Sequence, residues 1–391
     1  MIIKPKTRSF ICLTAHPIGC EENVREQIGF VKNNASVVDG MPKNVLVIGS
    51  STGYGLASKI VLAFCGGANT IGVYFGKAAE KGRTASAGWY NSEAFKKFAD
   101  EEGLGTEDIN GDAFSQETKT KVADIIRSKF GKIDCVIYSI ASPRRVDPVT
   151  GEVFKSVLKP IGEPFTSKTV NVDTEEVMDV IIDQASDEEI FATKKVMGGE
   201  DWELWIKFLH DENLLSDNFV TVAYSYVGPK VTWPIYYNGT IGVAKDDLMR
   251  ACEVLNKELR NINGRAVISV NKAVVTQASA AIPVVPLYLS VLFKVMKKKK
   301  NHEGCIEQMT RLFTKKLYGK SAFNELDEYG RIRLDEFELS DDVQSEVDDI
   351  WPKISTENIR EITDIFGYKE EFLKLFGFGL QNVDYDFDVD L

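Results

Sequence analysis

The sequence has only three histidines, His16, His210 and His302, and they lie far apart. Imidazole is the commonest metal-binding side chain, so this scarcity argues against a histidine-based metal site. The six cysteines are scattered without a Cys-x-x-Cys pair. That spacing fits reduced thiols better than a disulfide framework or a zinc site. We therefore predict no bound metal and a cytoplasmic location.

Positive charge is also scarce, because 47 Lys and Arg residues stand against 58 Asp and Glu residues, a net charge of -11. A nucleic-acid backbone requires an excess of basic side chains, so nucleic acid is excluded as a general partner. Residues 1–16 carry charges through their apolar stretch, unlike a secretory signal. The hydrophobic fraction of 44% is enough for a large globular core.

One long run, residues 273–293, carries no charge and is followed by the basic KVMKKKK at 294–300. Its length is that of a membrane-spanning helix. However, Pro283, Pro286 and several polar residues oppose such a helix in lipid. We interpret the run as a buried strand that ends near Val275, then a loop and an apolar helix suited to lining a substrate pocket. We expect no stable membrane insertion.

Short apolar runs alternate with helix-compatible segments from residue 43 onward, which is typical of buried parallel strands with helices between them. The predicted strands are VLVIG (45–49), TIGVYF (70–75), CVIYSIA (135–141), TVAYSY (221–226) and AVISV (266–270). This order predicts an α/β fold, a Rossmann-type doubly wound parallel sheet related to short-chain dehydrogenases. We expect a single elaborated domain, 1–391, with an N-terminal extension (1–42), an insertion (about 144–200) and a substrate-lining helical region (about 277–330).

A glycine-rich turn, GSSTGYG at 49–55, follows the first strand and leads into the helix-compatible LASKIVLAF. Glycines let the backbone approach a pyrophosphate, and a helix N-terminus offers free N–H groups and a favourable dipole. Strand, turn and helix in this order predict a dinucleotide site. Its predicted residues are Gly49, Ser50, Ser51, Thr52, Gly53 and Tyr54.

The choice between NADH and NADPH is expected at the end of the next strand, where an Asp or Glu would bind the ribose 2′-hydroxyl. That place holds Phe75, Gly76 and Lys77. With no carboxylate to repel a 2′-phosphate, NADPH stays open beside NADH, although Lys77 is equally well explained as a solvated surface residue. Two further strand ends are expected to contact the cofactor, at Asp112 and Ala113 and at Ile140 and Ala141.

A reductase on this fold needs a tyrosine hydroxyl beside a lysine that holds the nicotinamide ribose. The Tyr-x3-Lys pair of short-chain dehydrogenases does not stand out, and Tyr236 and Lys245 have eight residues between them. Nine steps of about 100° each put them on opposite sides of a continuous helix, so they converge only if Tyr236 precedes the helix. The break at Asn238-Gly239-Thr240 allows this, with Asn238 or Thr240 as the predicted helix cap.

Many segments together resemble the trans-2-enoyl-CoA reductase family, also known as FabV-type enoyl-acyl-carrier-protein reductases. The resemblance rests on Tyr236-x8-Lys245, GSSTGYG, AYSYVGP (223–229) and VVTQASAAIPVVPLYLSVLFKVMK (274–297). It extends through FICLTAHPIGC (10–20), GWYN (88–91), ASPRR (141–145), VMGGEDW (196–202) and NHEGCIEQ (301–308). It covers nearly the whole chain.

The resemblance implies reduction of the C2=C3 double bond of trans-2-enoyl thioesters with NADH, in fatty acid metabolism. The carrier would be CoA, as in crotonyl-CoA, or acyl carrier protein, and the enzyme is expected to be a monomer. The resemblance also implies that Tyr236 is the proton donor, that Tyr226 contacts the acyl substrate and that Lys245 holds the nicotinamide half. The other cofactor residues that it implies are Gly49 to Tyr54, Phe75, Gly76, Asp112, Ala113, Ile140, Ala141, Val274, Val275 and Thr276.

One departure and two rival functions stay open. Many similar members have Glu where Gly76 stands, so a strict preference for NADH does not follow. The first rival is carbonyl reduction of a 3-ketoacyl thioester, which the absence of Tyr-x3-Lys opposes. The second is a dinucleotide-sensing module without turnover, which an intact Tyr236 and Lys245 oppose.

Overall fold

The computed structural model describes residues 1–8, 11–80 and 82–389 and has the predicted α/β architecture. Phe10, the first residue of FICLTAHPIGC, lies outside the described residues. The strands are β1 (Thr7–Arg8), β2 (Ile11–Cys12), β3 (Asn44–Ile48), β4 (Asn69–Tyr74), β5 (Thr106–Asn110), β6 (Ile133–Tyr138), β7 (Arg144–Val146), β8 (Val153–Lys155), β9 (Phe165–Asn171), β10 (Glu176–Ile182), β11 (Leu215–Ser225), β12 (Arg265–Val270) and β13 (Ile332–Arg333). The α-helices are α1 (Pro17–Asn34), α2 (Gly53–Phe64), α3 (Ala87–Glu101), α4 (Gln116–Ile125), α5 (Asp187–Met197), α6 (Glu200–Asp211), α7 (Thr240–Glu258), α8 (Gln277–Ala280), α9 (Val285–Lys299), α10 (Cys305–Arg311), α11 (Asp341–Ile350), α12 (Ile359–Ile362) and α13 (Ile365–Lys374).

A seven-stranded parallel sheet, ordered β13-β12-β11-β6-β3-β4-β5, forms the centre of the fold. The five predicted strands all lie in it. The edge strand β5 was expected only through its end near Asp112 and Ala113, because only Ile109 in it is buried and it lacks the apolar run that marks a central strand. The chain moves outward from β3 to β5 and then returns to β6 on the other side. This reversal opens a crevice at the carboxyl ends of β3 and β6.

Helices cover both faces of the sheet because alternate strand residues point to opposite sides. Val45 and Val47 of β3 belong to a core shared with α1, α2, α3 and α10. Leu46 and Ile48 belong to a second core shared with α4, α6 and α7. The N-terminal extension is therefore part of the covering layer, through α1.

The prediction of a strand ending near Val275 is wrong, because β12 ends at Val270. Beyond it, the Asn271 N–H still donates to the Ser225 carbonyl of β11, and from Lys272 onward side chains of other elements bind the backbone. The Lys272 N–H donates to Gln308 Oε1 at 3.0 Å, and the Ala273 N–H donates to Glu338 Oε2 at 2.7 Å. Residues 272–276 thereby leave the sheet and reach the crevice at Thr276.

The predicted apolar helix is α9, and its residues from Val285 to Phe293 are buried. They share a core with α11 and α13 from the C-terminal part of the chain. None of the helices that the structure describes combines the length and apolar character required to span a bilayer. The basic run at its end is paired within the chain, since Lys297 contacts Asp364 and Lys298 contacts Glu346, each at 2.7 Å.

Candidate active site

A cleft of about 610 Å³ lies at the carboxyl ends of β3, β4 and β6, where the strand order reverses. Most of the predicted cofactor residues border it. They are Gly49, Ser51, Thr52, Gly53, Tyr54, Phe75, Asp112, Ala113, Ile140, Ala141 and Thr276. Ser50 is buried behind the turn, with its hydroxyl 3.3 Å from the Val73 carbonyl oxygen. Val274 and Val275 face a separate pocket of about 280 Å³ behind the turn, and Gly76 and Lys245 do not border the cleft.

The glycine turn packs closely against the backbone that follows β6, at Ser139. Gly49 has φ +88°, and a Cβ at this position would lie 2.1 Å from the Ser139 carbonyl oxygen. A Cβ on Gly55 would lie 1.9 Å from the carbonyl oxygen of Gly49. Helix α2 begins at Gly53, and its N-cap residue Thr52 makes no side-chain capping bond. The first N–H groups of α2 are therefore available to an anion in the cleft.

Substitution of Gly55 by alanine is expected to weaken dinucleotide binding by about tenfold or more, or about 1.4 kcal/mol, because the new methyl group displaces Gly49. Binding is measured by NADH fluorescence titration. Gly29→Ala is the matched control: Gly29 lies on α1 with nothing within 4 Å of its Cβ position. The control should stabilise the protein by up to about 1 kcal/mol without changing binding. Equal binding by both variants would contradict the assigned turn.

The loop of Asp112 and Ala113 is held from beneath by a buried charge pair. Lys119 Nζ donates to the carbonyl oxygens of Ala113 and Phe114 at 3.3 and 3.2 Å and pairs with Asp201 Oδ1 at 2.9 Å. Such a pair can persist in the core because each charge has a partner. Asp201 belongs to the VMGGEDW segment, whose contribution could not be read from the sequence.

The strand end after β6 contributes more residues than predicted. Besides Ile140 and Ala141, the cleft is lined by Ser139, Ser142 and Arg144. Arg144 is an exposed cation there and belongs to ASPRR, the only sequence signal for it.

The ribose of the dinucleotide is expected at the end of β4. There the chain offers backbone groups of Gly76 and no carboxylate. The Gly76 N–H donates to Asn110 Oδ1 at 3.0 Å, and Asn110 Nδ2 donates to the Gly76 carbonyl at 2.8 Å. The Phe75 side chain is 77% exposed beside the cleft. Lys77 is also exposed.

Tyr236 precedes helix α7, as predicted, and lies in a turn where its N–H donates to the Thr232 carbonyl at 3.0 Å. The predicted cap is wrong, because Gly239 occupies the N-cap position and Thr240 is the first helical residue. The Thr240 hydroxyl donates instead to the Val157 carbonyl at 2.6 Å. The insertion, which contains the hairpins β7–β8 and β9–β10, thus fastens the start of α7.

Tyr236 and Lys245 both reach the carboxyl end of β11. The Tyr236 ring packs edge to face on Tyr226, with 4.8 Å between ring centroids, and Lys245 Nζ donates to the Tyr224 carbonyl at 3.1 Å. Among the described residues, no group forms a hydrogen bond with the Tyr236 hydroxyl. Burial raises the pKa of Tyr236 and lowers the pKa of Lys245 to about 8. At neutral pH the site therefore holds a neutral phenol and a mostly charged ammonium.

Tyr226 presents its ring rather than a free hydroxyl to this site. Its hydroxyl donates to Glu338 Oε1 at 2.9 Å. The predicted contact of Tyr226 with the acyl substrate is therefore one of ring surface, and it stays a prediction.

Comparison with known proteins covers the whole chain. Family models match residues 2–81 (NAD(P)H binding domain of trans-2-enoyl-CoA reductase), 83–318 (trans-2-enoyl-CoA reductase catalytic region) and 326–389 (enoyl reductase FAD binding domain). An enoyl-[acyl-carrier-protein] reductase [NADH] of Opitutus terrae is 55% identical over 100% of this chain and 98% of its own. A trans-2-enoyl-CoA reductase [NADH] of Ruminiclostridium cellulolyticum has the same identity and coverage. The crystal structure of Treponema denticola trans-2-enoyl-CoA reductase in complex with NAD superposes with a TM-score of 0.95, at 50% identity, over 100% of this chain and 98% of that chain.

The segment matched by the flavin description does not fit a flavin. Its apolar side chains, including Val343, Ile365 and Phe372, are buried in the core that it shares with α9. The glycine turn that accommodates a close backbone approach lies instead at residues 49–55. The C-terminal segment is therefore a packing unit, and no step of the chemistry is assigned to a flavin.

Proposed function

The chain belongs to the trans-2-enoyl-CoA reductase family, and we propose that Tyr236 and Lys245 are the catalytic pair of its NADH-dependent reduction of enoyl thioesters. The observation that supports this proposal is that both residues contact the end of β11, where the Tyr236 ring packs on Tyr226 and Lys245 Nζ donates to the Tyr224 carbonyl. A nicotinamide dinucleotide fits the cleft at the glycine turn because the first N–H groups of α2, which begins at Gly53 in the cleft lining, have no side-chain cap and can bind its phosphates. When bound, NADH supplies the hydride that adds to C3 of the substrate.

Tyr236 stabilises the negative charge that develops on the thioester oxygen. Its phenol hydrogen-bonds that oxygen and donates the proton that completes saturation at C2, directly or through water. Its buried position keeps it protonated, because burial raises the pKa of Tyr236. Lys245 positions the ribose, and its positive charge lowers the cost of tyrosinate character during the transfer. The predicted cofactor residues that border the cleft bind and orient the dinucleotide.

The reaction is tested by following cofactor oxidation with crotonyl-CoA and with acetoacetyl-CoA. Reduction of crotonyl-CoA alone is expected. Reduction of acetoacetyl-CoA alone would favour a 3-ketoacyl reductase, and no oxidation with either substrate would favour a sensing module. The same assay with acyl-carrier-protein thioesters compares the two carriers that we propose.

We propose NADPH as a second cofactor, since no carboxylate stands at Gly76. Lys77→Glu is expected to lower kcat/KM for NADPH by about tenfold relative to NADH, because a carboxylate there repels a 2′-phosphate. Steady-state rates with both cofactors measure the ratio. The control is Lys257→Glu, which makes the same change of charge at an exposed position on α7. If both variants leave the ratio unchanged, Lys77 is a solvated surface residue.

We propose that residues 1–391 form one elaborated domain that acts as a monomer in the cytoplasm. The cores shared by the N-terminal helix, the sheet and the C-terminal helices support the single domain. The free thiols of all six cysteines support the location. Light scattering on the purified protein tests the oligomeric state, and a dimer would contradict it.

A further inference from the structure

A buried carboxylate from the C-terminal segment lies directly behind the candidate active site. Glu338 has no solvent exposure. Its Oε1 accepts hydrogen bonds from the hydroxyls of Tyr226 at 2.9 Å and Tyr288 at 2.6 Å, and its Oε2 accepts the Ala273 N–H at 2.7 Å. An ionised carboxylate only accepts hydrogen bonds, so three donors converging on Glu338 match its charged form.

Lys272 balances this charge. It is 2% exposed, and its Nζ donates to the Ala273 carbonyl at 2.8 Å, beside the residue whose N–H binds Glu338. A buried charge without a partner would be strongly destabilising. Burial raises the pKa of Glu338 and lowers the pKa of Lys272, and the attraction between the two groups opposes both shifts.

Two of the three donors lead to the reacting groups. The Tyr226 ring meets the Tyr236 ring at 4.8 Å and an interplanar angle of 83°. Ala273 opens the segment that ends at Thr276 in the cleft wall. The third donor, Tyr288, is fully buried in the core around α9. Neither Tyr288 nor Tyr226 borders the cleft, so the packing of Tyr226 on Tyr236 is what distinguishes the two tyrosines.

We propose that Glu338 is a positioning residue for the reduction, which holds the Tyr226 hydroxyl so that the Tyr226 ring orients Tyr236. This inference rests on the proposed role of Tyr236. It adds to that role a function for the C-terminal segment, whose Glu338 carboxylate holds Tyr226 against Tyr236. Loss of this positioning is expected to lower the rate, because a misplacement of about 1 Å at a reacting group can cost up to about 10²-fold.

The chain offers a matched pair of variants, since Tyr226→Phe and Tyr288→Phe each remove one hydroxyl from the same carboxylate oxygen. Both are expected to lower thermal stability to a similar extent. Only Tyr226→Phe should lower kcat, by about tenfold, with NADH affinity by fluorescence titration unchanged. An equal loss of kcat in both variants, or no loss in either, would overturn the proposal.

A double-mutant cycle separates positioning from direct contact of the Tyr226 hydroxyl with substrate. Glu338→Gln should lower kcat at least as much as Tyr226→Phe, and the double variant should be little worse than Glu338→Gln alone. Additive losses would overturn the proposal. If Glu338→Gln does not fold, the comparison of Tyr226→Phe with Tyr288→Phe still decides. Tyr236→Phe is measured in the same series: an inactive Tyr236→Phe beside a fully active Glu338→Gln rejects only the positioning role, whereas an active Tyr236→Phe rejects the catalytic pair.

Discussion

Replacement of Tyr236 by phenylalanine is expected to lower kcat for crotonyl-CoA reduction by about 10²-fold or more while NADH still binds. The variant keeps the ring that packs on Tyr226 and loses only the hydroxyl. Interactions made only in the transition state lower kcat and kcat/KM together when they are removed. Steady-state rates and fluorescence titration of NADH measure the two quantities.

Tyr237→Phe is the control for this variant. Tyr237 is the next residue in the same turn, is 50% exposed and packs against Trp233 at 5.3 Å between ring centroids. It loses the same hydroxyl without touching Tyr226, so near-normal turnover is expected. Wild-type turnover by Tyr236→Phe, or an equal loss by Tyr237→Phe, would remove Tyr236 from the mechanism.

Replacement of Lys245 by methionine is expected to lower kcat/KM by about 10²-fold, because the site loses its ammonium while the apolar stem is retained. The pH dependence gives a second signature. Burial lowers the pKa of Lys245 to about 8, so kcat/KM of the wild type should fall as the pH rises through about 8. In Lys245→Arg this decline should be absent, because the guanidinium stays charged. A wild-type profile that is flat across this range would contradict the assignment.

The free energy of unfolding should increase with pH over the range in which kcat/KM decreases. The pKa of Lys245 is about 8 in the folded protein and 10.5 in an unfolded chain, so the unfolded chain holds the proton more tightly. The contribution of this residue to folding therefore increases as the pH rises from about 8 to 10.5. Denaturant titrations of wild type and Lys245→Met across this range measure the difference. Identical pH trends in the two proteins would show that Lys245 is not buried as described.

The sequence predicted those parts of the fold that depend on local pattern. The five apolar strands and the glycine turn followed from hydrophobic runs and from residue types with distinct backbone preferences. The break before α7 was also found, because the spacing of Tyr236 and Lys245 required it. The cap at Asn238 or Thr240 was wrong, since the Thr240 hydroxyl bonds to Val157 in the insertion, a partner that no local pattern reveals.

The site residues that were missed depend on contacts between distant segments. Lys119 and Asp201 support the Asp112 loop from two helices separated by the insertion. Glu338 reaches Tyr226 across 112 positions of sequence. A buried ion or carboxylate has no periodic signature, so one sequence cannot place it. The prediction of a strand end near Val275 was wrong for the same reason, because the side chains of Gln308 and Glu338, and no neighbouring strand, bind the N–H groups of Lys272 and Ala273.

Residues 272–276, which reach the cleft at Thr276, are thus hydrogen-bonded at their start to two side chains that belong to other elements. A mutant library aimed at altered substrate scope should therefore sample positions 308 and 338 together with residues 272–276. Changes at positions 308 and 338 would move residues 272–276 without altering their own side chains or the sheet behind them.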